Sequence, residues 1–216
     1  MGKVKIQIAG IRTLADALEC IKNGVDAIGL LVGQSHPSDD FITKELAYDI
    51  VKAIPPYQVT AMITHSESAE EIISLVKYIG VNCVQLHSYI SESEVKKIHT
   101  AFPHIKLVRL IHIDGDEITN FEEMRFVDAF FTDSINKATG QFGGTGLTHN
   151  FEHDAMLSLK LTKPLIVAGG VNADNVGAVI KKVKPYGVDT NSGCKGTDGR
   201  MNYGKLKAFC DAVNKM

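Results

Sequence analysis

No run of five or more like charges, no apolar stretch approaching eighteen residues and no paired-cysteine spacing occurs in this 216-residue chain. The missing charge runs, with a formal net charge of -2, exclude the basic footprint of a nucleic-acid or anionic-membrane binder. The missing apolar run excludes a transmembrane helix of ordinary length. Cys20, Cys83, Cys194 and Cys210 form neither a C-x-x-C pair nor a zinc-ribbon pattern. The first strand–helix turn, Ala9-Gly10-Ile11-Arg12-Thr13, lacks G-x-G-x-x-G, which argues against a dinucleotide fold.

What is present is an ordinary globular composition, 44% hydrophobic and 22% charged. A chain of this size builds a core without disulfides or structural metal. Cys20, Cys83 and Cys210 fall in apolar-periodic segments and read as small buried hydrophobes. Met1-Gly2-Lys3 leads directly into a strand-like run, with no secretory pattern before it. The expected compartment is the reducing cytoplasm.

Short apolar runs alternate with amphipathic runs along the whole chain. The runs predict strands over 4–9, 27–32, 58–63, 83–87, 106–111, 129–132, 165–168 and 188–191. Helices are predicted over 14–22, 44–53, 69–79, 92–101, 117–124, 153–159, 175–183 and 203–213. Eight strand–helix units within 1–216 leave no room for a second domain. The expected fold is therefore a single (β/α)8 barrel, with parallel strands inside and helices outside.

Glycines cluster where such a barrel binds phosphate. Ala168-Gly169-Gly170-Val171-Asn172 ends the seventh strand and Asn191-Ser192-Gly193 ends the eighth. Phosphate needs several backbone N–H donors close together, and glycine lets the chain approach without a Cβ in the way. Phosphate sites in these barrels form after strands seven and eight. Gly169, Gly170, Asn172, Ser192 and Gly193 are the expected phosphate cradle, with Gly144 and Gly146 of Gly143-Gly144-Thr145-Gly146 closing from the loop after strand six. The expected partner is a phosphorylated small molecule, bound by a monomer or homodimer without nucleic acid or membrane.

Taken in order, several segments resemble the phosphoribosylanthranilate isomerase family over nearly the whole chain. They are Gly10-Ile11 with Leu14-Ala15-Asp16-Ala17, Gly24-Val25-Asp26-Ala27-Ile28-Gly29, Val84-Gln85-Leu86-His87 and Thr132-Asp133, followed by the three glycine clusters. The resemblance implies an Amadori rearrangement, in which a phosphoribosylamine opens and a proton moves between adjacent carbons, without an organic cofactor. It also implies a general acid after strand six, and Asp133 holds that position.

Two positions depart from the family pattern. The family's general base is a cysteine in Lys-Ile-Cys-Gly at the end of strand one, where this chain has Gln7-Ile8-Ala9-Gly10. The arginine that holds the anthranilate carboxylate is replaced by Asp40 in Ser38-Asp39-Asp40-Phe41-Ile42. Alanine cannot accept a proton and an acidic side chain repels a carboxylate. These departures lead to the expectation of an isomerase or epimerase acting on a different sugar phosphate or phosphoribosyl compound. A true family enzyme with a relocated base, and a phosphosugar-binding protein without catalysis, are the alternatives.

Histidines supply candidate proton carriers, because imidazole titrates near neutrality. His65 ends strand three and His87 ends strand four, and both are assigned with Asp133 to catalysis. His36 and His112 lie farther into loops. Gln85, Arg109, Asp189 and Asp40 are assigned to substrate binding, with Arg12 as a second source of positive charge. A divalent metal on His36, Asp39, His65 and His87 is a variant, but their spacing matches no metal motif. His149 and His153 read as a solvated helix start. Cys194, beside Lys195, is the one cysteine with the setting of a nucleophile.

Overall fold

The structure, a computed structural model, describes residues 2–34, 39–114, 117–119, 125–136, 141–142 and 151–216. Eight parallel strands run through it: β1 (Lys5–Ile8), β2 (Ala27–Leu31), β3 (Val59–Thr64), β4 (Cys83–Leu86), β5 (Lys106–Asp114), β6 (Ala129–Asn136), β7 (Leu165–Val167) and β8 (Gly187–Thr190). Each pairs in parallel with the next in sequence, and β1 also pairs with β8 through Lys5↔Gly187 to Ile8↔Thr190. That last pairing closes the sheet into a barrel.

Seven α-helices lie outside the strands among the described residues: α1 (Leu14–Lys22), α2 (Lys44–Ala53), α3 (Ala69–Ile79), α4 (Glu92–Ala101), α5 (Glu152–Lys160), α6 (Val176–Val183) and α7 (Tyr203–Asn214). The sequence writes most of their starts. Thr13, Thr43, Ser68, Ser91 and Asn202 each accept a hydrogen bond from a first-turn backbone N–H. Gly80, at φ 81°, ends α3 in the left-handed conformation that glycine adopts without strain.

Alternation along each strand separates two cores. On β5, Leu107 and Ile111 join the large apolar layer between barrel and helices, whereas Val108 and Leu110 join Ala61, Cys83, Ala129, Phe131 and Ala168 inside the barrel. The inner set is small, as a narrow barrel requires. The same parity carries Gln7, Asp133 and Asp189 to the inner side of their strands.

The helix predicted over 117–124 is corrected. Glu117–Thr119 is a short strand antiparallel to β5, with Ile113↔Ile118 and His112↔Thr119 in register. Residues 120–124 lie outside the described residues. The β-branched Ile118 and Thr119 suit a strand better than a helix. Strand six also runs further than its apolar stretch, to Asn136, because Ile135 and Asn136 pair with Gln141–Phe142.

Candidate active site

The glycine turns after β7 and β8 meet at one concavity. It is lined by Asp133, Ala168, Gly169, Gly170, Val171, Asp189, Thr190, Asn191 and Ser192. Gly169 and Gly170 have φ of 79° and 73°, so the chain doubles back there in a way other residues resist. The Thr190 hydroxyl donates to the Val171 carbonyl at 2.6 Å and ties the two turns together. Gly193 sits in the junction, where a Cβ would come within 2.5 Å of Thr190 Oγ1 and 2.6 Å of the Val171 carbonyl oxygen. Among the described residues no backbone bond takes up the N–H groups of Gly169, Gly170, Ser192 or Gly193. Asn172 serves the local turn instead, with its backbone N–H and side-chain oxygen held by Asp174 and Asn175 at the start of α6. Gly144 and Gly146, the expected third part of the cradle, lie outside the described residues.

Below the turns, polar side chains form a layer across the barrel. Gln7 and Gln85 exchange reciprocal amide hydrogen bonds at 3.0 and 3.1 Å. Both are buried, so Gln85 acts first as a floor that fixes Gln7. Asp189 pairs in register with Gln7. Burial pushes its carboxyl pKa well above the ordinary range, the nearby charge of Asp133 pushes it further, and the Gln7 amide pulls weakly the other way. Sequence reasoning overlooked Gln7. Its signal was a polar residue of inward parity in an apolar strand.

His65 and His87 stand at the mouth on the ends of β3 and β4, with rings 5.9 Å apart and edge to face. Both are buried. His65 Nδ1 is bonded to Gln34 Oε1, and Gln34 in turn donates to the Ile63 carbonyl at 2.8 Å. His87 packs on Phe131 at 5.2 Å. His36 lies outside the described residues, and of His112 only the backbone, in β5, is described. Among the described residues no three His, Cys, Asp or Glu side chains gather to hold a metal.

Several assignments are corrected. Arg109 is not at the mouth: it shares the outward parity of Leu107 and Ile111, and its guanidinium donates to the Ile90 carbonyl at 2.7 Å, bracing the approach to α4. Cys194 is buried, and burial pushes its thiol up to about 12, far from a nucleophile's range. Cys83 and Cys210 are raised in the same way, to about 12 and about 11. His153 is buried in the first turn of α5, not solvated.

Asp40 is also not the bare repulsive charge that the sequence suggests. Its carboxylate is clasped by Lys195 Nζ from the loop after β8 and accepts from Asn191 Nδ2 at 2.8 Å. The pair is largely covered, with side-chain exposures of 17% and 13%. Arg12 bridges the same loops, donating to the Asp39 carbonyl at 2.9 Å and the Gly199 carbonyl at 2.8 Å. Two cations, Arg12 and Lys195, thus meet the Asp40 carboxylate at this rim. Nothing in the sequence linked Lys195 to Asp40, because 155 residues separate them.

Lys195→Met should leave the covered Asp40 charge without the Lys195 cation, with the Asn191 amide still donating to it. The expected cost lies at the lower end of the about 3–5 kcal/mol typical of broken buried pairs, since both side chains keep some water. Urea denaturation would measure it, and adding Asp40→Asn should recover part of the loss.

A larger hollow opens at the opposite end of the barrel, lined by Lys5, Tyr57, Gln58, His104, Lys106 and Tyr186. It lies at the amino ends of the strands, whereas chemistry in these barrels sits at the carboxyl ends. The ion pairs Lys5–Asp26 and Lys106–Asp128 brace that end.

A closed parallel barrel with these strand-end groups falls in the class of (β/α)8 isomerases. The chain belongs to the N-(5'-phosphoribosyl)anthranilate (PRA) isomerase family, whose sequence profile matches residues 6–212. It is 40% identical over 210 residues to N-(5'-phosphoribosyl)anthranilate isomerase 2 of Methanosarcina mazei, covering 95% of this chain and 92% of that one. It is 34% identical over 218 residues to the isomerase of Chlorobium phaeobacteroides, covering 98% of each. The phosphoribosyl anthranilate isomerase structure from Thermotoga maritima superposes with a TM-score of 0.83 at 25% identity, over 99% of this chain and 100% of that chain. The Thermus thermophilus structure gives 0.84 at 22%, over 98% and 99%.

These matches overturn the expectation of a different substrate. It rested on Ala9 and Asp40 alone, against similarity that spans the chain. Physically, the repulsion assigned to Asp40 does not arise, because Lys195 neutralises it in place.

Proposed function

We propose that the protein isomerises N-(5'-phosphoribosyl)anthranilate to its ring-opened aminoketose, with a base other than a cysteine at position 9. The observation that carries this is Asp133, inward-facing in the carboxyl half of β6 and bordering the same concavity as both glycine turns. Phosphate on those turns sets the ribose ring beside Asp133, whose carboxyl protonates the ring oxygen as the ring opens. Arg12 and Lys195 bring positive charge to this rim, which suits the anthranilate carboxylate. His65 and His87 lie across the mouth and shape the remaining wall.

No organic cofactor enters this reading. Among the described residues no helix is long and apolar enough to cross a membrane. The reading has the protein acting in the cytoplasm as one barrel unit, monomeric or paired.

Purified protein should convert N-(5'-phosphoribosyl)anthranilate, and the gene should restore growth without tryptophan to a strain lacking this isomerase. Retained binding of the substrate, with the compound recovered unchanged after long incubation, would sink the reading in favour of a non-catalytic binder.

A further inference from the structure

We propose that Asp189 is the second proton-transfer residue of this site, performing the abstraction that a thiolate at position 9 performs in the family pattern. The inference rests on the function proposed above and names its missing base.

The geometry begins at the vacated position. Alternation on β1 places Ala9 on the inner side, one step beyond Gln7, and its backbone N–H is fixed to the Thr190 carbonyl at 3.1 Å. Gln7 pairs in register with Asp189 on the adjoining strand, so the carboxylate lies next to the space left by the cysteine. Asp189 is only 4% exposed, yet its Oδ1 has no hydrogen-bond partner among the described residues. A buried carboxylate oxygen without a donor is costly, and such groups persist where a ligand or a reaction uses them. Asp189 itself borders the concavity that also holds Asp133 and both glycine turns.

The chemistry fits the two carboxylates. A carboxylate in water is a weak base, but burial and the charge of Asp133 raise the affinity of Asp189 for a proton toward what carbon acids require. Two carboxyl groups facing one concavity disfavour each other's ionisation, so a single proton can pass between them. Turnover uses the arrangement in which the proton is on Asp133 and Asp189 is ionised, the reverse of the resting one, in which the raised Asp189 holds it.

Asp133 gives its proton to the ring oxygen as the bond from C1 to that oxygen breaks, leaving an iminium ion at C1. Asp189 takes the proton from C2, and the C–H electrons form the C1=C2 bond while the nitrogen regains its lone pair. The proton on Asp189 is then delivered to C1 as the C2 hydroxyl proton passes to Asp133 and the ketone forms. The pair ends with one proton, as it began, and no oxidant or cofactor takes part.

The test compares turnover of N-(5'-phosphoribosyl)anthranilate by the wild type, Asp189→Asn and Asp189→Asn/Ala9→Cys. Asp189→Asn should lower kcat by about 10²–10⁴-fold with KM changed little. Adding Ala9→Cys should recover at least about tenfold of that loss, since the thiol enters the position the family uses.

A stability readout separates chemistry from structure. A carboxyl whose folded pKa is raised supports folding below its unfolded value and loses that support as pH rises through the folded one. Asp133 is the charged neighbour of Asp189 across the concavity, with Gln7 and Asn191 neutral beside it and Cys194 a thiol behind it. Asp189→Asn should therefore raise Tm at pH 8 by roughly 2–4 °C while turnover falls.

A kcat within a few-fold of wild type in Asp189→Asn, or no recovery on adding Ala9→Cys, would overturn the assignment. An inactive wild type would instead overturn the proposed function, and the assignment with it.

Discussion

Asp133→Asn is expected to lower kcat by about 10²–10⁴-fold, the usual worth of a positioned general acid, while substrate still binds. The position explains the size of the effect. Phe131 two residues earlier belongs to the inner core, so strand alternation turns Asp133 inward, and β5 fixes its height through the pairing with His112. Thr132, between them, points outward and is bonded to Asp154 of α5. That outward contact locks the rotation of the strand and aims Asp133 at the mouth. Asparagine keeps the shape and loses the transferable proton, so a thermal melt should show a folded protein. Steady-state kinetics make the check: unchanged turnover in Asp133→Asn would remove the general acid from the mechanism. The loss of the Asp133 charge should also lower the proton affinity of Asp189, moving the acid limb of any residual pH profile to lower pH.

Gly193→Val should produce the second large effect, through binding. The first side-chain carbon alone would meet Thr190 Oγ1 at 2.5 Å and the Val171 carbonyl at 2.6 Å. The latter is main chain, which cannot swing aside. The turns after β7 and β8 must separate, breaking the Thr190–Val171 bond and spreading the N–H groups that converge on phosphate. A stability loss of about 1–3 kcal/mol is expected from overpacking. A rise in KM of tenfold or more, about 1.4 kcal/mol in binding, should accompany it, with inorganic phosphate losing its protective effect on the melt. A KM equal to wild type would mean that phosphate binds elsewhere.

The barrel itself was legible before any coordinates. Eight apolar runs, each followed by an amphipathic run, state the parallel sheet and its outer helices because buried strands and half-buried helices have different periods. Capping residues such as Thr43, Ser68 and Ser91 mark helix starts with little help from the rest of the chain. The glycine pair at 169–170 announced its left-handed turn in the same local way. Segment 117–124 misled because its periodicity was weak, and pairing with β5 settled what propensity left open.

Side chains gave way sooner than elements. Arg109 and Asp133 both sit within barrel strands, and no local feature of either says which is turned toward the mouth. Parity counted from the inner core decides it, and that count needs the packing of Val108, Leu110 and Phe131. Cys194 next to Lys195 looked activated because adjacency in sequence was read as adjacency in space. In the folded chain the lysine turns away to Asp40, and the thiol is buried.

The sequence alone determined the order of strands and helices, the helix caps, the glycine turns and the loss of the thiol at position 9, since each is written in neighbouring residues. Only the tertiary structure decided that Lys195 neutralises Asp40, that Gln7 and Gln85 floor the barrel, and that Asp133 and Asp189 share one concavity. Charges and hydrogen bonds act over a few ångströms through space. Barrel closure brings β1 against β8 and makes neighbours of groups more than a hundred residues apart in the chain.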